Sequence, residues 1–295
     1  MRTENRVSSA VGSRVAIART LIRSERSVAC WNRSQRTPIA VGNRLPVIFC
    51  TWRRLDRLQD TLRQLAAQDV PVQALIWNNS PDRGRVDAAV GSPGFPVTVH
   101  HSSRNIGGFG RFYLAREAAE QGHASVVFID DDQDFGPGTM TDFLATHRPR
   151  SLSGWWALKL SSAAYGSRVR ADPGEAATLI GTGGMIADAA VFRDARLFRC
   201  PRRYWFLEDI WLSYVAGQLC GYELFRSAAN FEFESADDEH ALYHTVGRTK
   251  AKFVRYLVRQ GWDPVWRSSD GPELADGELG AVSGGPHGRS ASCQG

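Results

Sequence analysis

The sequence contains no run of about 18 apolar residues, so no segment is long enough to cross a bilayer as a helix, and the chain is expected to be soluble. It has no CxxC and no paired cysteine spacing. Cys30, Cys50, Cys200, Cys220 and Cys293 are scattered, which fits isolated thiols in a reducing compartment, and a cytoplasmic location is expected. The start has no continuous apolar stretch followed by a small-residue cleavage site, as a secretory signal would. Nor is there a basic stripe for a nucleic-acid backbone. The net charge is +5, but residues 1–44 alone hold nine arginines against two glutamates, which leaves the remainder slightly acidic. Nucleic acid is therefore not an expected partner.

What is present suits a globular enzyme. At 295 residues and 43% hydrophobic content the chain can bury a sizeable core. Residues 1–44 read as a disordered basic extension, and their Arg-rich, acid-poor composition also suits an organelle transit peptide. From residue 267 onward serine, glycine, proline and aspartate dominate. A tail with so few large apolar groups cannot repay the entropy of ordering. The folded domain is expected over residues 45–266.

Short apolar runs alternate with amphipathic stretches through the first half of this domain. Residues 46–51 predict a strand, and Leu55, Leu58, Leu62 and Leu65 then recur at helical spacing. Residues 72–77 and 97–100 predict two further strands, the former ended by the turn formers Asn78, Asn79, Ser80 and Pro81. A glycine-rich turn at 105–110 leads into a helix predicted over 112–120, and residues 124–129 form an apolar strand that ends on three aspartates. Strand and helix in alternation predict an α/β fold with a mostly parallel, Rossmann-like sheet flanked by helices. The second half is less regular. It predicts strands over 155–160 and 178–186 and helices over 207–219 and 247–259. In such sheets ligands sit at the carboxyl ends of the strands, which is where Asn78, the Gly107 turn and the aspartates fall.

Asp130, Asp131 and Asp132 are the residues most suggestive of chemistry. Alternation along an extended strand would point Asp130 and Asp132 one way and Asp131 the other. Adjacent carboxylates repel unless they share a cation, and hard ions such as Mg²⁺ or Mn²⁺ bridge carboxylates to substrate phosphates. A solvated acidic turn capping a helix is the plainer alternative.

An apolar strand ending in Asp-Asp-Asp at this depth resembles the DXD region of family 2 glycosyltransferases of the GT-A fold, and the other stations of that family follow in order from Pro46 to about Gly261. Thr51-Trp52-Arg53-Arg54 resembles the family's TYNR segment, with Trp-Arg in place of Tyr-Asn. Ile76-Trp77-Asn78-Asn79-Ser80 resembles its VDNGS turn, with Asn78 at the acidic position. Asn105-Ile106-Gly107-Gly108-Phe109-Gly110 resembles its asparagine- and glycine-rich segment before a helix, and it is not the GxGxxG of dinucleotide binders. The resemblance implies that Thr51, Asn78, Asn79, Asn105, Gly107, Gly108, Asp130 and Asp131 contact a nucleotide-diphosphate sugar, with UDP the expected nucleotide. Gly181-Thr182-Gly183-Gly184 resembles the segment beneath the acceptor. Trp205-Phe206-Leu207-Glu208-Asp209 resembles the family's ED motif, which makes Asp209 the catalytic base with Glu208 beside it. His244, ahead of an Arg-Thr-Lys stretch that includes Lys250, resembles the histidine that many relatives use as a further metal ligand with Asp130 and Asp132.

The implied reaction is an inverting, metal-assisted hexosyl transfer. The expected partners are a nucleotide-sugar donor, Mn²⁺ or Mg²⁺, and an acceptor that is a saccharide, a lipid-linked saccharide or a small natural product. A sugar-1-phosphate nucleotidyltransferase and an inactive carbohydrate-binding protein of the same fold are the alternatives. The first lacks its usual glycine-rich loop at residues 50–54, and the second sits poorly with acids at both stations.

Overall fold

The computed structural model describes residues 43–229, 231–233 and 243–266. The basic segment up to residue 42 and the stretch from 267 onward lie outside the described residues. Seven strands form the main sheet in the order β11-β6-β10-β4-β1-β2-β3. They are β1 (Leu45–Thr51), β2 (Val72–Asn78), β3 (Val97–His101), β4 (Ser125–Phe128), β6 (Ser151–Gly154), β10 (Met185–Asp188) and β11 (Glu223–Arg226). The pairs β1·β2, β1·β4, β2·β3 and β6·β11 are parallel. β10 alone runs against its neighbours β4 and β6, so the sheet is mostly parallel, as the alternating pattern predicted.

The central strands are apolar on both faces because helices cover both. On one side α1 (Leu55–Ala66) lays Leu58, Leu62 and Leu65 on the sheet, beside Phe143 of α4 (Thr139–Thr146). On the other, α3 (Arg111–Glu120) buries Phe112 against Phe192, with Ala115 and Ala119 in the same core cluster as Val215 and as Phe253 of α6 (Tyr243–Val258). Two helices have no sequence forecast, α2 (Arg83–Val90) and α4. In α2 only Val86 is buried, too little apolar periodicity to read, although Asp82 caps it by accepting from the Arg85 amide at 3.1 Å.

The second half departs from the predicted elements where the chain turns tightly. The strand predicted over 155–160 is β7 (Ala157–Leu160), in a small antiparallel sheet with β8 (Arg168–Arg170) and β9 (Leu179–Ile180), and β6 of the main sheet, just before it, has no sequence forecast. The break between the two falls at Trp155 and Trp156. The Trp155 amide donates to Gly184 O at 2.7 Å, and Trp156 O accepts from the Gly181 amide at 2.7 Å. The strand predicted over 178–186 divides at the same turn, where Gly184 takes φ 76°. The helix predicted over 207–219 is α5 (Glu208–Ser213) continued by a π-helical turn at Tyr214–Leu219. A two-stranded ribbon pairs β5 (Gln133–Asp134) with β12 (Glu232–Phe233).

His100 of β3 stacks on Trp77 at 4.3 Å and is almost wholly buried. Burial, with His101 and Arg83 nearby, pulls its pKa from 6.5 down to about 4. The folded protein therefore binds this proton less readily than the unfolded chain. The stability His100 contributes is complete above pH 6.5 and is lost as pH falls toward 4, about 3 kcal/mol across the window. Urea melts of a His100→Phe variant are expected to flatten that acid limb, and an unchanged limb would assign it to other groups.

Candidate active site

β1 connects to β2 on one side while β4 pairs with it on the other, so the sheet has a topological switch between β1 and β4, and the crevice at their carboxyl ends is the natural ligand site. Thr51 ends β1 and Asn78 ends β2. β4 ends at Phe128. Ile129 still donates to Ile48 O at 3.2 Å, but Asp130, Asp131 and Asp132 lie in the turn beyond. Strand alternation therefore does not set their directions, which corrects the sequence expectation. Arg54 Nη1 reaches both Asp131 Oδ1 at 2.9 Å and Asp132 Oδ2 at 3.3 Å, whereas Asp130 pairs elsewhere. Burial pushes the Asp131 carboxyl up to about 7, against the pull of Arg54 and with Asp132 and Asp130 adding to the rise.

Asp130 is held by Arg111, the first residue of α3, whose side chain is only 5% exposed. Arg111 Nη2 donates to Asp130 Oδ1 at 2.8 Å and Nη1 to Thr182 O at 2.9 Å, while Nε lies 4.0 Å from Glu208 Oε1. Thr182 Oγ1 donates to the same Glu208 oxygen at 3.1 Å. One buried guanidinium thus joins the acidic turn after β4, the Gly181–Gly184 turn and the start of α5. Burial works against its charge, but Asp130, Cys50 and Glu208 outweigh that and hold its pKa above the usual guanidinium range. Glu208 is raised by burial, against Arg111 and with Asp209 adding. Sequence reading did not identify Arg111. The available signal was an arginine opening a helix whose first turn is apolar, Phe112 to Ala115, a charge that burial obliges to find a partner.

The two acids of α5 divide. Glu208, with a side chain 9% exposed, faces inward, while Asp209 is 19% exposed and borders the crevice. Asp209 Oδ1 accepts from the Ile210 amide at 2.8 Å, and Oδ2 lies 3.9 Å from Lys250 Nζ of α6. Asp209 is the main cause of a raised Lys250 pKa, ahead of the opposing effect of burial.

The residues expected to touch a donor build the floor of this crevice. Asn78 is fully buried: its Nδ2 group donates to Ser80 O at 3.2 Å and contacts His101 Nδ1 at 2.9 Å, and its Oδ1 accepts from the Ser80 amide. Asn79 Oδ1 accepts from Trp77 Nε1 and the Ile106 amide, and its Nδ2 donates to Gly107 O at 3.1 Å. Asn105 Oδ1 accepts from the Gly107 amide at 2.8 Å. Thr51 is buried and its backbone oxygen accepts from the Asn79 amide. Asn79 and Asn105 brace the glycine turn with their side-chain amides, and Asn78 braces the turn at Ser80.

The glycines answer to close packing from within. Gly107 has φ 64°, and a Cβ there would lie 2.6 Å from the Phe206 ring. A Cβ on Gly108 would overlap the Glu208 carboxylate, one on Gly110 the Trp77 indole, and one on Gly183 the Asp130 carboxylate.

A cavity of 290 Å³ opens beside the carboxyl ends of β1 and β2. Trp52, Leu55 and Pro81 give it an apolar surface, and Ser80, Asp82, Arg53 and Arg85 give it polar groups. Among the described residues no three of His, Cys, Asp and Glu converge as a closed metal site. His244 lies in α6, but its side chain is outside the described residues. Asp130 and Asp132 offer oxygen ligands at partly exposed positions, 37% and 28% exposed. A hard divalent ion commonly takes one or two protein carboxylates and completes its shell with water and phosphate oxygens; here Asp130 and Asp132 are each ion-paired with an arginine, Arg111 and Arg54.

No family model matches the sequence, and no curated protein does. Among solved structures the chain is similar to the mannosyltransferase PcManGT from Pyrobaculum calidifontis, determined in complex with GDP-Man and Mn²⁺. Identity is 13% and the TM-score 0.54, over 88% of this chain and 76% of that one. The fold is GT-A-like. It is also similar to S. aureus TarS, at 17% identity and a TM-score of 0.44 over 65% of this chain and 37% of TarS. A further likeness is to HddC from Yersinia pseudotuberculosis, at 12% identity and 0.40 over 71% and 99%. Among the described residues no helix is long and apolar enough to cross a membrane.

Proposed function

We propose that this GT-A-like chain is a glycosyltransferase that moves a hexosyl group from a nucleotide-diphosphate sugar to an acceptor hydroxyl with inversion, as family 2 enzymes do. The observation that carries the reading is the Arg111 bridge, which ties Asp130, after β4, to Glu208, the neighbour of Asp209 in α5. Two acidic stations far apart in sequence are thereby linked through one guanidinium.

Asp130 and Asp132, with His244, would hold Mn²⁺ or Mg²⁺, and the bound ion would neutralise charge on the leaving nucleoside diphosphate. Asp209 takes the proton from the acceptor hydroxyl, since it is the acid of α5 that borders the crevice, while Glu208 stays within the Arg111 and Thr182 contacts and keeps Asp209 in place. Lys250 lies where it can orient Asp209 or meet the diphosphate. The cavity lined by Trp52, Ser80 and Asp82 takes the nucleobase end, with UDP the first donor to try; the GDP-Man bound by PcManGT makes GDP-sugars the second.

Native mass spectrometry against UDP-, GDP- and dTDP-sugars with Mn²⁺ tests the reading. A one-to-one complex with at least one donor is expected, and it should weaken on adding EDTA and in Asp130→Asn. Donor binding undiminished by chelation would remove the metal assignment.

A further inference from the structure

The carboxyl edge of the sheet continues past the acidic turn. β10 is antiparallel, so the Gly181–Gly184 turn at its start lies on this same edge; beyond it come Trp155 and Trp156, after β6, and then Arg226, which ends β11. Strands stand about 4.8 Å apart, so the ends of β6 and β11 lie roughly 10 to 14 Å from β4, on the side away from the Trp52 cavity.

This far end has two unusual properties. Trp156 is 39% exposed, one of five large apolar side chains left open among the described residues, and it lies against Gly181, next in the chain to the Thr182 that touches Glu208. Arg170 of β8 stacks its guanidinium over both indoles, 4.7 Å from the Trp155 ring and 4.9 Å from that of Trp156. The second property is charge. Burial, with Arg226 adding, lowers the Arg170 pKa, and Arg226 reaches the carbonyl of Ala171, the next residue along. Arg170 donates to Trp155 O at 3.3 Å and Arg226 to Ala171 O at 2.7 Å, both backbone carbonyls. Among the described residues no carboxylate pairs with either arginine, although the fold pairs most arginines around the crevice with acids. A guanidinium stacked on two indoles, with a second arginine bonded to the adjoining backbone and no described acid on either, offers an anion a charge-assisted seat.

We propose that Trp156, Arg170 and Arg226 form the distal acceptor subsite, and that the acceptor is an anionic saccharide whose ring lies on Trp156 while its carboxylate or phosphate sits between the two guanidinium groups. The inference rests on the glycosyltransferase reading for its place in the reaction. A saccharide combines the requirements of the site: a hydroxyl for Asp209, an apolar C–H face for Trp156 and, one or two sugar units away, a negative group for the arginines.

Calorimetric titration with three oligosaccharides of equal length tests it: maltotetraose, tetragalacturonate and maltotetraose bearing a terminal phosphate. The charged ligands should bind about tenfold or more tighter than the neutral one, with an advantage that shrinks as salt is raised. Whichever charged ligand binds better distinguishes a uronate from a phosphate source. Arg170→Gln and Arg226→Gln should each erase most of the advantage, Arg170→Lys should retain part of it, and Trp156→Ala should weaken all three ligands. None of these variants should change Mn²⁺-dependent nucleotide-sugar binding, so failure here is separable from failure of the functional reading. Equal binding of charged and neutral ligands, a preference that survives both arginine substitutions, or no binding of either charged ligand up to about 10 mM would overturn the proposal.

Discussion

Asp209→Asn is expected to bind donor as the parent does and to slow sugar transfer by about 10²- to 10⁴-fold, the usual reach of general-base assistance. The amide has nearly the shape of the carboxylate and still accepts from the Ile210 backbone amide, so the start of α5 should be undisturbed. What it loses is the ability to take a proton. Glu208 cannot take over, because its carboxylate faces Thr182 and Arg111 inside the protein. The effect should therefore fall on kcat, with donor affinity by titration unchanged. Parent-like turnover would remove Asp209 from the base role, and a matching loss of donor affinity would make it a binding residue instead.

Gly108→Ala should have the largest effect on stability. The added methyl would overlap the Glu208 carboxylate, which cannot swing aside without breaking its contacts with Thr182 and Arg111. Overpacking of a rigid interior costs about 3 kcal/mol, and displacing a buried acid from its partner adds to that. For a domain of this size the melting temperature should fall by about 10 °C. Gly84→Ala is the matched control. Gly84 lies exposed in α2 with nothing within 4 Å of the new methyl, and better helix propensity there should raise stability slightly. A parent-like melt for Gly108→Ala would mean that Glu208 is not wedged as described.

These two glycine sites illustrate what the sequence could and could not convey. The central strands were legible because a parallel strand covered on both faces is apolar at every position, as in Val126, Val127 and Phe128, and the acids that follow such a strand stand out. The side-chain directions of the acids were not legible. The strand stops two residues before Asp130, so alternation does not set their directions, and Arg54 gathers Asp131 with Asp132. Adjacent residues Glu208 and Asp209 look alike as letters, and only the phase of α5 against Arg111 makes one a buried partner and the other a crevice acid. Asn78, Asn79 and Asn105 read as ligand contacts because polar turn residues serve ligands and backbones alike. Here their amides meet the chain's own backbone and side chains. The glycine turn was recognised as a place of close approach, but the approaching groups are Phe206, Glu208 and Trp77, each distant in sequence.

The measurement closest to the central claim follows the donor screen through to product. Protein incubated with UDP-, GDP- or dTDP-hexose and Mn²⁺ should release the nucleoside diphosphate from at least one donor, with the sugar passed to water or to an added saccharide, and Asp130→Asn or EDTA should suppress the release. Formation of pyrophosphate from a nucleoside triphosphate and a sugar 1-phosphate, with every nucleotide sugar left intact, would contradict sugar transfer and make the chain a nucleotidyltransferase.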